Sequence, residues 1–244
     1  MLAKVSLFAM NDESISLNKY ISMTGICSRR AADRMIEAGR VKINDQVAQK
    51  GNRVKAEDTV FIDGKPLQKK PDKVYIVLNK PPGITCTTDR RDKDNIIDFV
   101  KHPQRIFPIG RLDKASSGLI LLTNDGDIVN QILREENEHE KEYIVKVDRP
   151  INKQFVERME KGIPILGTMT KHCKVEPIRK DVFRITLTQG LNRQIRRMCE
   201  YLGYKVVTLK RIRVMNIHLD RMPVGKWRNL SIKELKALRS ALKD

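Results

Sequence analysis

The sequence predicts an α+β protein with a small N-terminal domain and a larger C-terminal domain. The segment Gln-Lys-Lys-Pro-Asp-Lys, at residues 68–73, is polar, charged and proline-containing, as interdomain linkers tend to be. Before it, apolar residues at helical spacing precede short alternating segments, which indicates helices and then strands. After it, strand-like apolar runs predominate. A chain of 244 residues with 40% apolar residues can supply a core for each domain.

The small domain is predicted to contain two helices followed by three strands. Leu17, Tyr20 and Ile21 repeat at helical spacing and predict the first helix. Ser28 is a suitable N-cap for a second helix over residues 29–38. The strands are predicted at residues 41–43, at residues 47–54 with a break at Gly51, and at residues 59–62.

The larger domain is predicted to open with a strand at residues 74–78. Residues 140–147 alternate as a half-exposed strand does. Asn192 is a credible N-cap for a later helix, and Ser231 for a closing helix that reaches residue 241. The core-facing stripe of the Asn192 helix is predicted to consist of Ile195, Met198, Cys199 and Leu202.

One carboxylate in the larger domain, Asp113, is predicted to lie on a loop beside a rigid sheet. It precedes an apolar run at residues 119–122, which is short, continuous and bounded by turn signals, as in a strand buried on both faces. An Asn-Asp-Gly turn is predicted to end this run. A lone loop aspartate most often bonds its own backbone, so the surrounding motif decides whether Asp113 is functional.

The formal net charge of +18 comes from 48 basic and 30 acidic residues. This excess indicates a polyanionic partner, because the neutralisation of phosphates releases counterions. Residues 190–228 hold 10 basic and 2 acidic residues, so we expect the polyanion to meet this segment.

The sequence argues against a membrane protein and against a metal site. No apolar stretch approaches the ~20 residues of a spanning helix, and no secretory cleavage pattern is evident, which predicts a cytoplasmic protein. The four cysteines lack paired spacing, and His172 beside Cys173 lacks a second pair of ligands. Reduced thiols and no metal are therefore predicted.

Three separated segments are similar, in order, to the motifs of RNA pseudouridine synthases, in the branch that modifies ribosomal RNA. They are Gly-Arg-Leu-Asp at Asp113, Glu-Lys-Glu-Tyr at Tyr143, and Asn-Arg-Gln-Ile-Arg-Arg-Met around Arg196. Residues 14–67 resemble an S4 RNA-binding domain, through Leu-Asn-Lys-Tyr-Ile and Gly-Ile-Cys-Ser-Arg-Arg-Ala-Ala-Asp. The resemblance implies that the larger domain is a mixed, mainly antiparallel sheet flanked by helices. It divides the chain into a flexible tail (1–12), an S4 RNA-binding domain (13–67), a linker (68–73) and a pseudouridine synthase catalytic domain (74–244).

The resemblance also implies a mechanism. Ionised Asp113 would act as nucleophile or base on a flipped-out uridine, whose C1′–N1 bond breaks before a C1′–C5 bond forms. Arg196 would pair with this carboxylate and favour its charged form, and Tyr143 would stack on the base. No cofactor or metal is required. Further contacts with the RNA are implied for Lys19, Arg29, Arg30, Arg34, Arg111, Asn192, Arg193, Arg197 and Leu209.

A stem-loop of 23S ribosomal RNA is the favoured partner, with the protein acting as a monomer without an obligate protein partner. The first alternative is a synthase of the same family that acts on another ribosomal or transfer RNA uridine. A non-catalytic RNA-binding factor for ribosome assembly would share this scaffold, but intact Asp113, Tyr143 and Arg196 disfavour it. A membrane-peripheral basic protein would need an amphipathic basic helix with bulky aromatic residues, which the sequence lacks.

Overall fold

The computed structural model of the protein describes residues 14–67 and 71–242. The flexible tail predicted at residues 1–12 lies outside the described residues, as do residues 68–70 of the predicted linker. No helix in the described part of the chain is long and apolar enough to cross a membrane.

The chain divides into two compact units, with the boundary between Lys73 and Val74. The first unit contains, in its described residues, β1 (Ile15–Ser16), α1 (Leu17–Met23), α2 (Arg29–Glu37), β2 (Val41–Ile43), β3 (Gln46–Val47), β4 (Arg53–Val54), β5 (Val60–Ile62) and β6 (Lys65–Pro66). Both predicted helices are confirmed. Helix α2 begins at Ser28, whose Oγ accepts a hydrogen bond from the backbone N–H of Ala31 at 3.2 Å.

The break predicted at Gly51 within residues 47–54 is confirmed, but it is longer than expected and leaves only short strands on either side. Strands β3 and β4 are separate, and the chain turns between them. Gly51 has a φ of +92°, and the side-chain oxygen of Asn52 accepts a hydrogen bond from the backbone N–H of Gln49 at 2.6 Å. This local side-chain bond replaces one that a continuous strand would make across the sheet.

The second unit is built around a large mixed sheet. Its described strands are β7 (Tyr75–Lys80), β8 (Phe107–Ile109), β9 (Ser117–Thr123), β10 (Lys141–Val147), β11 (Pro164–Ile165), β12 (Thr168–Met169), β13 (Lys174–Arg179), β14 (Val182–Leu187), β15 (Val206–Val214), β16 (Ile217–His218) and β17 (Trp227–Asn229). Its described helices are α3 (Ile96–Val100), α4 (Gly126–Leu133), α5 (Lys153–Lys161), α6 (Gln194–Tyr201) and α7 (Ile232–Ala241), with a short 3₁₀ turn at Glu135–Asn137.

The order of strands in this sheet brings distant parts of the sequence together. The described strands run in the order β13-β14-β10-β15-β9-β7-β17, with β8 paired to β9 and β16 paired to β15. Of these described pairs, β15 with β9 is parallel and the others are antiparallel. The expected mixed, mainly antiparallel sheet is therefore confirmed.

Helices cover both faces of the central strands. On β7, Ile76 and Leu78 face a core that includes α3, α5 and α6, whereas Tyr75 and Val77 face a second core with α4 and α7. Strand β9 alternates in the same way and is buried from its second residue onwards. The prediction of a strand buried on both faces is therefore confirmed.

The Asn-Asp-Gly turn predicted after β9 is instead the start of helix α4. Asp125 is the N-cap, and its Oδ1 accepts a hydrogen bond from the backbone N–H of Asp127 at 3.3 Å. Its Oδ2 accepts a second hydrogen bond from the hydroxyl of Tyr75 at 2.6 Å. Asx residues favour both turns and helix N-termini, so this local signal fits either structure.

Candidate active site

A cleft of about 990 Å³ lies on the second unit, where the loop between β8 and β9 meets β10, β15 and the start of α6. Asp113 reaches it from the loop, Tyr143 from β10 and Arg196 from α6. Leu209 and Arg211, on β15, line the same cleft. Side chains from separate parts of the sequence therefore line one cleft with the Asp113 carboxylate.

Arg196 holds the turn that carries Asp113. Its Nε lies 3.4 Å from Asp113 Oδ2, which is an ion-pair contact without a well-aligned hydrogen bond. Its Nη2 donates to Ser116 Oγ at 3.1 Å, and the Ser116 backbone N–H donates to the carbonyl of Asp113 at 2.9 Å. The Arg196 side chain is only 10% exposed, whereas that of Asp113 is 32% exposed. The carboxylate is thus fixed by a buried cation while it remains open to the cleft.

Lys80 supports the same loop from inside the fold. This fully buried lysine donates from Nζ to the carbonyls of Pro81 at 2.9 Å, Ile84 at 2.7 Å and Lys114 at 3.4 Å. Burial lowers the pKa of Lys80, and the nearby Asp113 partly offsets this effect. Lys80 therefore joins the segment after β7 to the loop that carries Asp113.

The sheet supplies the wall of the cleft. Tyr143 and Leu209 are buried, at 9% and 6% exposed, and both belong to the core beneath α6. Tyr143 lies opposite Arg211 in the register of β10 and β15. A tyrosine ring and a leucine at the edge of a cleft offer an apolar surface on which a planar base can stack.

The predicted N-cap at Asn192 is wrong. Helix α6 is preceded by Arg193 in a left-handed conformation, with φ of +50° and without a side-chain capping bond. Gln194 instead organises the turn, because its Oε1 accepts from the Leu191 backbone N–H at 3.0 Å. Asn192 is exposed and accepts hydrogen bonds from Arg197 through its backbone carbonyl, at 3.1 Å, and its Oδ1, at 3.4 Å.

Residues 74–201 match the family model of RNA pseudouridylate synthase, and residues 16–60 match that of the S4 domain. The chain is a member of the RNA pseudouridine synthase family. It is 57% identical over 226 residues to the dual-specificity RNA pseudouridine synthase RluF of Escherichia coli (strain K12), with 92% of this chain and 78% of that protein covered. It is 36% identical over 233 residues to the ribosomal large subunit pseudouridine synthase B of Bacillus subtilis (strain 168), with coverages of 92% and 95%. A crystal structure of pseudouridylate synthase matches with a TM-score of 0.68 and 30% identity, over 92% of this chain and all of that chain.

The synthase therefore acts on RNA, and the non-catalytic assembly factor is set aside. Of the residues expected to touch RNA in the second unit, Arg111, Asn192 and Arg193 are exposed at the cleft, and Leu209 is buried in its wall. Arg197 does not line the cleft. In the first unit, the expected RNA-contacting residues are the exposed Arg29, Arg30 and Arg34 and the half-buried Lys19.

Three residues of the synthase site were missed by sequence reasoning, namely Ser116, Gln194 and Arg211. Ser116 and Gln194 act through hydrogen bonds, and such bonds leave no periodic pattern in the sequence. Arg211 does leave one, because it lies two residues after Leu209 on a strand and therefore shares its face. That alternation could have identified it.

Burial disfavours the thiolate form of three cysteines of the synthase. Burial raises the pKa of both Cys173 and Cys199 to about 12. Burial also raises the pKa of Cys86, whose Sγ accepts a hydrogen bond from the backbone N–H of Leu112 at 3.3 Å. Within residues 14–67 and 71–242, no three His, Cys, Asp or Glu side chains are grouped as metal ligands.

Proposed function

We propose that this synthase converts a uridine in a stem-loop of 23S ribosomal RNA to pseudouridine, with Asp113 as the nucleophile or base. The observation that carries the proposal is the carboxylate of Asp113, which lies in the cleft 3.4 Å from the buried Arg196. The substrate assignment is supported by the relative named as a large subunit synthase.

Each step of this reaction has a group suited to it. A stacked base cannot reach Asp113, so the uridine is flipped into the cleft at a cost of a few kcal/mol. Stacking on Tyr143 would recover about 1–3 kcal/mol of that cost. Arg196 holds the Asp113 carboxylate in place at the cleft, where it can add to the base or remove a sugar proton. The reaction is an isomerisation, so the proposal needs no cofactor.

A second RNA substrate is a specific extension of this proposal. The relatives with 57–58% identity are named dual-specificity enzymes. The exposed Arg111 and Arg193 at the cleft can bind phosphates of any suitably shaped stem-loop, since phosphate contacts position RNA without reading its sequence. We therefore include a transfer RNA stem-loop as a second candidate substrate. We further propose that the enzyme acts in the cytoplasm as a monomer.

Release of tritium from RNA labelled with 5-³H-uridine tests the proposed function. We expect the wild type to release tritium from 23S ribosomal RNA, and Asp113→Asn to lower the rate by at least about 10⁴-fold, as loss of a nucleophile does in other enzymes. Asn keeps the shape of the side chain, so RNA affinity and thermal unfolding should change little.

Asp94→Asn is the matched control. Asp94 lies near the same loop and pairs with Lys114 at 2.8 Å, but both side chains are more than half exposed, so the pair contributes little. We expect wild-type turnover from this variant. Release from 16S ribosomal RNA or transfer RNA alone would overturn the 23S assignment, and unchanged turnover by Asp113→Asn would overturn the role of Asp113.

A further inference from the structure

Arg211 is a buried arginine that the steps described above do not use. It lies on β15, it is only 5% exposed, and it lines the cleft with Asp113. Its Nε donates to the backbone carbonyl of Leu119 at 2.7 Å. Among the described residues, its terminal nitrogens Nη1 and Nη2 have no hydrogen-bond partner, and Arg211 has no carboxylate partner. Buried guanidinium groups are normally paired, so these donors are available to a ligand in the cleft.

The register of the sheet places Arg211 between two parts of the proposed site. Strand β15 lies between β10 and β9. Tyr143 on β10 is directly opposite Arg211, so the two side chains project from the same face of the sheet. On the other side, Arg211 pairs with Gly118, just after the turn that carries Asp113. Arg211 therefore lies, in the register of the sheet, between the proposed stacking residue and the strand that follows the Asp113 turn, and it lines the same cleft.

The depth of Arg211 in the cleft decides which part of an RNA can reach it. Arg111 and Arg193 are exposed at the cleft, and the Asp113 side chain is 32% exposed, whereas Arg211 is almost fully enclosed. When a nucleotide flips, the base enters the pocket and its phosphates remain along the strand outside. The exposed arginines are thus placed for phosphates, and Arg211 is placed for the base.

We propose that Arg211 is a catalytic residue that donates hydrogen bonds from its Nη groups to a carbonyl oxygen of the uracil as it leaves the sugar. This inference rests on the proposed isomerisation. When the C1′–N1 bond breaks, its electron pair stays on the uracil, and N1, O2 and O4 share the negative charge. The C1′–C5 bond then forms, C5 loses its proton and N1 gains one, so no atom is gained or lost overall. A fixed cation beside a carbonyl oxygen stabilises charge that is absent before the bond breaks.

The first test compares single-turnover rates of the wild type with those of Arg211→Gln and Arg211→Lys on labelled 23S ribosomal RNA. We expect Arg211→Gln to lower the rate about 100- to 1000-fold, as loss of a donor to a developing anion does in other enzymes. The Kd for RNA should stay within about threefold, because phosphates dominate affinity. The rate of Arg211→Lys should lie between those of the wild type and Arg211→Gln, since lysine keeps the charge and lacks the planar guanidinium.

Arg213→Gln is the matched control. Arg213 is also on β15, but it pairs with Glu140 at 2.7 Å and Glu142 at 2.9 Å, and it does not line the cleft. We expect its turnover to stay within about threefold of the wild type even if its melting temperature falls, because its pairs lie outside the site.

A second readout separates charge stabilisation from a purely structural role. RNA with 5-fluorouridine carries a better leaving group, because fluorine withdraws electrons from the uracil anion. The rearranged nucleoside is measured by mass spectrometry after digestion of the RNA. The fold-loss in rate caused by Arg211→Gln should be at least about tenfold smaller with 5-fluorouridine than with uridine. Equal defects on the two substrates, or an unimpaired Arg211→Gln, would overturn the role of Arg211 while the wild type stays active. An inactive wild type would overturn the proposed function together with this inference.

Discussion

Gly118 lies so close to the backbone of Arg211 that it has no room for a side chain. A Cβ built there would overlap the backbone carbonyl oxygen of Arg211 and lie 2.7 Å from its backbone nitrogen. Gly118 also has a φ of +102°, in a region that L side chains rarely adopt. The parallel pairing of β15 with β9 passes through this residue, so the position of the Asp113 turn depends on it.

We therefore expect Gly118→Ala to lower the free energy of unfolding by more than about 4 kcal/mol. The backbone of Arg211 would have to move, and the new alanine would also keep a strained positive φ. Gly203→Ala is the matched control, since Gly203 has a φ of +81° with nothing within 4 Å of the added Cβ. It should cost only about 1–2 kcal/mol, the price of strain alone. Urea unfolding of both variants measures the difference, and equal losses would show that the close approach to Arg211 is unimportant.

The positions of the site residues differ in how well the sequence could place them. Asp113, Tyr143 and Arg196 stand in recognisable motifs, and the structure brings all three to one cleft. Arg211 lies outside those three motifs, in a stretch whose resemblance to the family pointed only to Leu209. Its proposed role depends on a strand register that joins residue 211 to residues 118 and 143, and such long-range pairing is set by the whole sheet.

At the scale of elements, the apolar periodicity predicted helices and strands correctly where an apolar face was continuous. It failed to place the ends of elements where side chains, rather than backbone groups, make the hydrogen bonds to the backbone. The alternation in β10 and the stripe of α6 were predicted because each has a regular apolar pattern along its length. The start of α6 was misplaced because Gln194, rather than Asn192, satisfies the backbone before the helix. Hydrogen bonds of this kind depend on the conformation of one residue, here Arg193 with a positive φ.

The N-terminal end of helix α7 should contribute stability that depends on pH. Ser231 and Glu234 form a capping box, and Glu234 also pairs with Arg228 at 2.7 Å. The hydrogen bond from Arg228, together with those from Ser231, lowers the pKa of Glu234 from 4.5 to about 2. Since the folded-state pKa is depressed, this stabilisation is present above pH 4.5 and is lost as the pH falls towards 2.

We expect Glu234→Gln, which keeps the capping oxygen and removes the charge, to lower the free energy of unfolding by about 1 kcal/mol at pH 7. The difference from wild type should shrink as the pH falls from 4.5 towards 2, measured by urea unfolding at several pH values. Glu157→Gln on α5 is the control, because its pair with Lys153 is exposed and spans 3.6 Å. A difference for Glu234→Gln that stayed constant with pH would contradict this account.

For the whole molecule, the distribution of charge refines the expectation drawn from the basic segment at residues 190–228. Part of its positive charge is already used inside the protein. Arg211 is buried, Arg213 pairs with Glu140 and Glu142, and Arg228 pairs with Glu234. By sequence, residues 1–73 carry 14 basic and 9 acidic residues, a net +5, and residues 74–244 carry 34 and 21, a net +13.

Removal of residues 1–73 is expected to weaken RNA affinity more than it weakens the fold of the remaining unit. The second unit has its own two cores, so urea unfolding should remain cooperative. Loss of about three phosphate contacts would reduce the slope of log K against log salt by about 2–3. Binding to a stem-loop at several salt concentrations measures this slope, and an unchanged slope would refute the expectation.

Substitutions in the full chain provide the control for that deletion. Replacement of the exposed Arg29, Arg30 and Arg34 by Gln should reproduce most of the loss in affinity. Arg40→Gln should not, because Arg40 pairs with Asp63 at 2.6 Å.

The order of strands also has a consequence for synthesis on the ribosome. Strand β7 needs β17 as its outer neighbour, and Leu78 pairs with Trp227, so this edge cannot close until nearly all of the chain has emerged. The strands and helices of residues 14–67 pair among themselves and need nothing that follows. Domains fold as units during synthesis, N-terminal first. The nascent protein is thus expected to hold a finished RNA-binding module before it can perform any chemistry.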